Sequence, residues 1–249
     1  MHFKLIACEV FYREVCLCIA EGPHIVDVEF TEKGAHDKSD FLRQLIQTKI
    51  NEAENAKKKY DAILLAFGLC GNSVIGLTSK TTRIVIPRAH DCCTIFLGSK
   101  ENFKKLFGEN PSLPFSSAGY IERGGDYFHD ADMMKSIGME KTYEEYVALY
   151  GEENAKFLIE TIHSSLNKSE GKKVVYIEIP ETAHLGFAEK CRNAAEAKGK
   201  EFIKVEGSMR LLRKLIYGEW NKEEFLVLEP GQTICGVYDM DEVIKAEKK

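Results

Sequence analysis

The chain has 249 residues, a formal net charge of -5, 44% hydrophobic and 29% charged residues, the composition of a globular protein with ample core. Mild acidity speaks against a nucleic-acid partner, because phosphate binding wants a basic face. No apolar run approaches the roughly 18 residues of a membrane span, and MHFKLIACEVF lacks a signal-peptide layout, so no membrane partner and a cytoplasmic location are expected.

In chain order the pattern alternates between strands and helices. FKLIACE (3–9) predicts a short buried strand, VFYREVCLCIAE (10–21) a helix and HIVDVEF (24–30) an alternating strand. DFLRQLIQTKINEAENAKKKY (40–60) predicts a long amphipathic helix with Leu42, Leu45, Ile46 and Ile50 on one face. DAILLAF (61–67) and TRIVIP (82–87) are continuous apolar runs, as in parallel strands covered on both faces. CTIFLGSKENFKKLF (93–107) predicts one helix. The segment 110–134 mixes Pro, Gly, Ser and aromatics without a period, so it is expected to be a functional loop, a lid or an insertion. A helix over 142–166 follows. Then come a strand at 172–180, a helix at 182–200, a strand at 201–207, a helix at 208–220 with Ser208 as N-cap, and a strand and turn at 224–234. The fold class is therefore α/β: mostly parallel Rossmann-like sheet, flanked by helices, with a long irregular central insertion. The organisation expected is a Rossmann-like half at 1–108, an irregular loop or lid and helix at 109–167, and a second Rossmann-like half at 168–249, or one continuous domain.

Eight cysteines are too dilute for a secreted disulfide scaffold. In a reducing cytosol such residues are buried hydrophobes, metal ligands or nucleophiles. Three of them stand where predicted strands run out: Cys8 after FKLIA, Cys70 after DAILLAFGL and Cys92 after TRIVIPRAHD. Open parallel sheets bind ligands at the carboxyl ends of their strands. If the three segments are parallel neighbours, three thiols converge on one crevice, as a metal ion or an iron–sulfur cluster requires.

The flanking residues add chemistry. GLCGN (68–72) sets Cys70 in a tight turn, where Gly68, Gly71 and Asn72 are candidates for close backbone approach to a cofactor. PRAHDCC (87–93) crowds Arg88, His90 and Asp91 beside Cys92 and Cys93. His90 is a candidate ligand, Arg88 or His90 a candidate for lowering a thiol pKa, and Asp91 a helix cap. Glu9, beside Cys8, is a candidate base. Arg88, His90 and Glu9 are thus the candidate catalytic residues. Cys16, Cys18, Cys191 and Cys235 fit packing positions. IERGGDYFHD (121–130) offers Glu122, Arg123, His129 and Asp130 as substrate contacts. Glu181 and His184, and separately Glu229, stand at later strand ends. There is no CxxC pair and no glycine-rich phosphate loop.

IACEVFYRE, YDAILLAFGLCGN, IPRAHDCCTIFLGS and SAGYIERGG resemble a family catalogued as domain of unknown function 1638. The resemblance covers most of the chain and is strongest over 3–125. It implies a cysteine at each position matching Cys8, Cys70 and Cys92, and a setting in methanogens and anaerobic bacteria near corrinoid-dependent methyltransferases. At the position of Cys93 the family has an aliphatic or aromatic residue, so Cys93 is the weaker ligand.

The expected function is a metal-cofactor protein of anaerobic, corrinoid-associated metabolism. Cys8, Cys70 and Cys92 would hold an iron–sulfur cluster with an open coordination position. The alternatives are a three-cysteine zinc site that activates a thiol for methyl transfer, a nucleophilic cysteine, and a small-molecule or corrinoid-binding protein without metal. Expected partners are a small-molecule substrate and a corrinoid protein or methyltransferase. A metal-dependent lyase or oxidoreductase and a methyltransferase component are the enzyme classes in view.

Overall fold

The computed structural model describes residues 1–33, 35, 39–108, 113–123, 147, 152, 173–237 and 242–248. Of the expected loop or lid at 110–134, residues 113–123 are described and hold a short strand and a helix; its remainder, with His129 and Asp130, and nearly all of the helix expected over 142–166 lie outside the described residues.

Five strands make the main sheet: β1 (His2–Cys8), β2 (Ile25–Thr31), β3 (Ala62–Ala66), β4 (Ile84–Pro87) and, late in the chain, a strand at Phe225–Leu228. Their spatial order is β2-β1-β3-β4 and then the late strand. The first four run parallel, and the late strand pairs antiparallel with β4. Every residue of β3 and β4 is buried, which is why both read as unbroken apolar runs. The crossovers are α1 (Tyr12–Glu21), entered through a 3-10 turn at Glu9–Phe11, and α2 (Ser39–Asn55). α2 buries Leu42, Ile46 and Ile50 at a four-residue spacing, the stripe its sequence period demands.

The helix expected over 93–107 is two helices, α3 (Cys92–Phe96) and α4 (Lys100–Phe107). Gly98 separates them with a φ of 74°, a left-handed conformation that glycine takes at no steric cost. The Ser99 hydroxyl then accepts from Asn102 N at 3.1 Å and caps the second helix. A Cβ at Gly98 would also meet Ser208 Cβ at 2.7 Å.

A second, three-stranded parallel sheet orders as β5-β6-β7, with β5 at Phe115–Ser116, β6 at Lys173–Glu178 and β7 at Glu201–Glu206. α5 (Ala118–Glu122) follows β5. A 3-10 turn at Pro180–Leu185 and then α6 (Phe187–Ala197) follow β6, so the helix expected from 182 starts later. β6 alternates: Val175 and Ile177 join the main core, whereas Val174 and Tyr176 pack with Cys191 and Ala195 of α6. That is the period-2 pattern of a strand covered on both faces.

The chain then returns. α7 (Arg210–Tyr217) packs on α1, β3 and β4, with Leu211, Leu212, Leu215 and Ile216 buried. Ser208 Oγ accepts from Arg210 N at 3.2 Å. The late strand Phe225–Leu228, β8, closes the main sheet, and β9 (Gln232–Gly236) and β10 (Ile244–Lys248) form an antiparallel pair. Among the described residues no helix is long and apolar enough to cross a membrane.

Candidate functional site at the strand ends

β1, β3 and β4 are adjacent and parallel, so their carboxyl ends share one edge. Cys8 is the last residue of β1 and is fully buried. Beyond β3 and β4 the ladder continues: Leu69 N donates to Ala89 O at 2.8 Å, and Cys70 N to His90 O at 2.9 Å. The loop bearing Cys70 thus lies along the loop bearing Cys92. Gly68 permits this, because a Cβ there would come within 2.6 Å of Asp91 Cα and N.

Cys70, Gly71 and Asn72 follow with φ of 44°, 62° and 69°. Two non-glycine residues in the left-handed region are a local strain, of order 1 kcal/mol or more each, held by surrounding contacts. Those contacts are Ser73 N to Leu69 O at 3.0 Å, Ser73 Oγ to Cys70 O at 2.6 Å, and Arg43 Nη2 to Asn72 O at 2.9 Å. On the other loop the Asp91 carboxylate accepts from Thr94 N at 3.1 Å and caps α3. Cys92 therefore opens a helix whose start is fixed.

The thiols meet. Cys70 donates to Cys92 Sγ, and that bond, then burial, pushes the Cys70 thiol well above its ordinary value. Burial, then Cys92, does the same to Cys8. Burial, then Asp91, raises Cys93. All eight cysteines are outside disulfides. An activated nucleophilic cysteine needs its pKa depressed, which neither Cys8 nor Cys70 has. Among the described residues no group of three or more His, Cys, Asp or Glu side chains is placed to hold a single metal ion.

Four further side chains border the thiols, Tyr120, Lys33, Glu9 and Arg123, and for Tyr120 and Lys33 the sequence pattern carries no signal. The Tyr120 hydroxyl, on α5, donates to Cys92 Sγ at 3.1 Å. Lys33 Nζ lies 5.8 Å from the centre of the Tyr120 ring, and its charge acts on Cys8. Glu9 Oε1 accepts from Lys33 N at 2.8 Å, and Glu9 Oε2 lies 3.8 Å from Arg123 Nε. α5 reaches this edge because it docks backbone to backbone on the turn after Cys8: a Cβ at Gly119 would sit 1.7 Å from Val10 O. The small pair Ala118–Gly119 was the only sequence signal for that approach.

The remaining candidates are placed elsewhere. Arg88 ties the end of β4 to later backbone, donating from Nε to Lys222 O at 2.9 Å and from Nη1 to Glu242 O at 3.0 Å and to Ile244 O. The His90 ring stacks on Phe103 at 5.9 Å, and its Nε2 is buried without a hydrogen-bond partner. Glu229 N bonds Gln232 Oε1 in the turn before β9. Glu122, Arg123, Glu181 and His184 do come together, but in a neighbouring cleft with Tyr12 and Arg13 of α1.

A family model described as "Protein of unknown function (DUF1638)" matches residues 30–216, a span that contains Cys70 and Cys92 and begins after Cys8. No curated protein and no solved structure matches the chain. The chain belongs to the DUF1638 family.

Proposed function

We propose that this DUF1638 protein holds an iron–sulfur cluster on Cys8, Cys70 and Cys92, with one iron left open to a small-molecule substrate. The observation that carries the reading is the convergence of three thiols from the ends of three adjacent parallel strands, at the edge where open α/β sheets bind ligands. An all-sulfur donor set suits iron–sulfur clusters and zinc rather than hard cations. A cluster would spread its thiolates over separate irons, one from each of the three strand ends.

When bound, the cluster supplies an open Lewis-acidic iron or a path for electrons. The chain supplies the surroundings. The Tyr120 hydroxyl hydrogen-bonds Cys92 Sγ, Lys33 places positive charge near Cys8, and the Glu9–Arg123 pair flanks the same edge. Under this reading the protein serves anaerobic, corrinoid-linked metabolism, as a lyase, an oxidoreductase or a component of a methyltransferase.

The bond between Cys70 and Cys92 favours a second reading, because thiolates on one tetrahedral zinc stand close together. Zinc would then activate a substrate thiol for methyl transfer. Protein purified without oxygen, assayed for metal and acid-labile sulfide with an absorption spectrum, separates the two. Iron with sulfide and a broad visible band, both lost in Cys70→Ser, supports the cluster. Colourless protein with about one zinc per chain, in keeping with a single tetrahedral site, supports the second reading. Neither metal, even after reconstitution, overturns both.

A further inference from the structure

The cleft between α1, α5 and the turn after β6 has a volume of about 650 Å³, within the roughly 300–1,000 Å³ of small-molecule sites. Tyr12 and Arg13 reach it from beyond β1, Glu122 and Arg123 from beyond β5, and Glu181 and His184 from beyond β6. It thus lies at the carboxyl ends of strands from both parallel sheets, the position where open α/β sheets bind ligands.

Charge in the cleft is balanced, but hydrogen bonding is not. Both Glu122 oxygens accept from Arg13, through Nε and Nη2 at 2.6–2.9 Å. Glu181 faces Arg213 at 3.6 Å. Arg123 is held loosely by comparison. Its guanidinium stands over the Tyr12 ring, 4.8 Å from the centre, and its ion-pair partner Glu9 is 3.8 Å away, beyond hydrogen-bond reach. A guanidinium carries five N–H donors. Among the described residues those of Arg123 make no hydrogen bond, and neither does Nη1 of Arg13. The Arg123 side chain lines the cleft and is 33% exposed, so a ligand can reach it. The cleft offers donors and lacks an acceptor.

We infer that this cleft binds a small monocarboxylate with an apolar body, and that the Arg123 guanidinium receives the carboxylate. Two parallel N–H groups of an arginine match the two oxygens of a carboxylate. Tyr12 and Leu17 give the apolar wall for the ligand's body. Glu122 and Glu181 limit the charge the cleft accepts: a doubly charged phosphate ester would meet two carboxylates, whereas one carboxylate takes up the donors that Glu9 leaves unused. The inference does not rest on what the thiols hold.

The probe is phenylacetate, against phenethylammonium, of similar size and opposite charge, and phenyl phosphate, of higher charge, by calorimetry on the full chain near neutral pH. Phenylacetate saturates one site, phenethylammonium does not, and phenyl phosphate binds more weakly. Arg123→Gln weakens phenylacetate binding about tenfold or more, the loss of hydrogen bonds to a charged group. Arg123→Lys, which keeps the charge and loses the fork, weakens it as well. NMR of the arginine side chains gives a readout that needs no variant: saturation with phenylacetate shifts the Arg123 Nε–H resonance and leaves that of Arg192, on α6 outside the cleft, in place. No saturable phenylacetate binding, equal binding of phenethylammonium, tighter binding of phenyl phosphate, indifference to Arg123→Gln in a folded variant, or an unmoved Arg123 resonance each overturns the inference.

Discussion

Two clusters of buried ionisable groups stand at the carboxyl ends of the two sheets, and they are built in opposite ways. At the thiol edge the groups meet one another: Cys70 donates to Cys92 and Tyr120 donates to Cys92, while Glu9 accepts from the Lys33 backbone N–H. Along the cleft the charges are paired, while Glu14, buried on the core side of α1, has no hydrogen-bond partner. At the thiol edge Cys92 Sγ accepts from both Cys70 and Tyr120. A buried carboxylate without a donor costs stability when it ionises.

α5 is the wall the two regions share, since Tyr120 faces the thiols while Glu122 and Arg123 face the cleft. The substitution with the largest expected effect therefore breaks the comparison itself. Gly119→Ala puts a methyl group 1.7 Å from Val10 O, and backbone is not free to yield. Overpacking of this kind reaches about 3 kcal/mol or more. Chemical denaturation should show that loss, together with loss of any metal the thiols hold and of the pH dependence that Glu14 contributes. Loss at one region alone would mean that α5 does not couple them.

The next prediction isolates the buried carboxylate of α1. The folded-state pKa of Glu14 is raised to about 7 from an ordinary 4.5. Its neutral form is the one the fold accommodates, so that contribution is fully present below pH 4.5 and is lost as pH rises through 7. A shift of that size corresponds to about 3 kcal/mol over the window. Wild-type stability should fall accordingly from pH 4.5 to 8, and Glu14→Gln should flatten the fall. Parallel curves for the two proteins would show that Glu14 ionises without strain.

Gly68→Ala isolates the thiol edge. Its Cβ would stand 2.6 Å from the Asp91 backbone, so the two loops must part. The expected cost is about 1–3 kcal/mol, with metal uptake reduced and the pH dependence from Glu14 intact. Unchanged metal uptake would show that the Cys70 and Cys92 loops need not touch.

How much of this was legible in the sequence follows from which forces act locally. β3 and β4 announced themselves as apolar runs, and their ends placed Cys70 and Cys92 at one edge before any coordinates. Glu14 was half legible. It shares a helical face with Phe11, Val15 and Cys18, and a carboxylate on an apolar stripe is a warning. Without the second sheet, however, nothing says that no donor meets it. The break at Gly98 depends on Ser208 closing over it, a contact from far along the chain. β8 inserts antiparallel beside β4 across an interval that no local pattern spans, and Arg88 is drawn to that returning chain rather than to the thiols. Tyr120 was invisible for the same reason, since its partner lies on a loop of the other sheet.

That residue gives the smallest expected effect and the sharpest one for the thiol edge. Tyr120→Phe removes a single hydroxyl that donates to Cys92 Sγ at 3.1 Å and keeps the ring that packs on Phe96 and Phe115. A lost hydrogen bond of this sort costs about 1 kcal/mol, near the limit of a denaturation measurement. A cluster amplifies it, because hydrogen bonds to the ligating sulfurs help set its reduction potential. The donor stabilises the more negative, reduced state. The expected outcome is an unchanged iron and sulfide content with a more negative potential in Tyr120→Phe, read by redox titration of the visible band. An unmoved potential would detach Tyr120 from the site and leave its bond to Cys92 a matter of packing between the two sheets.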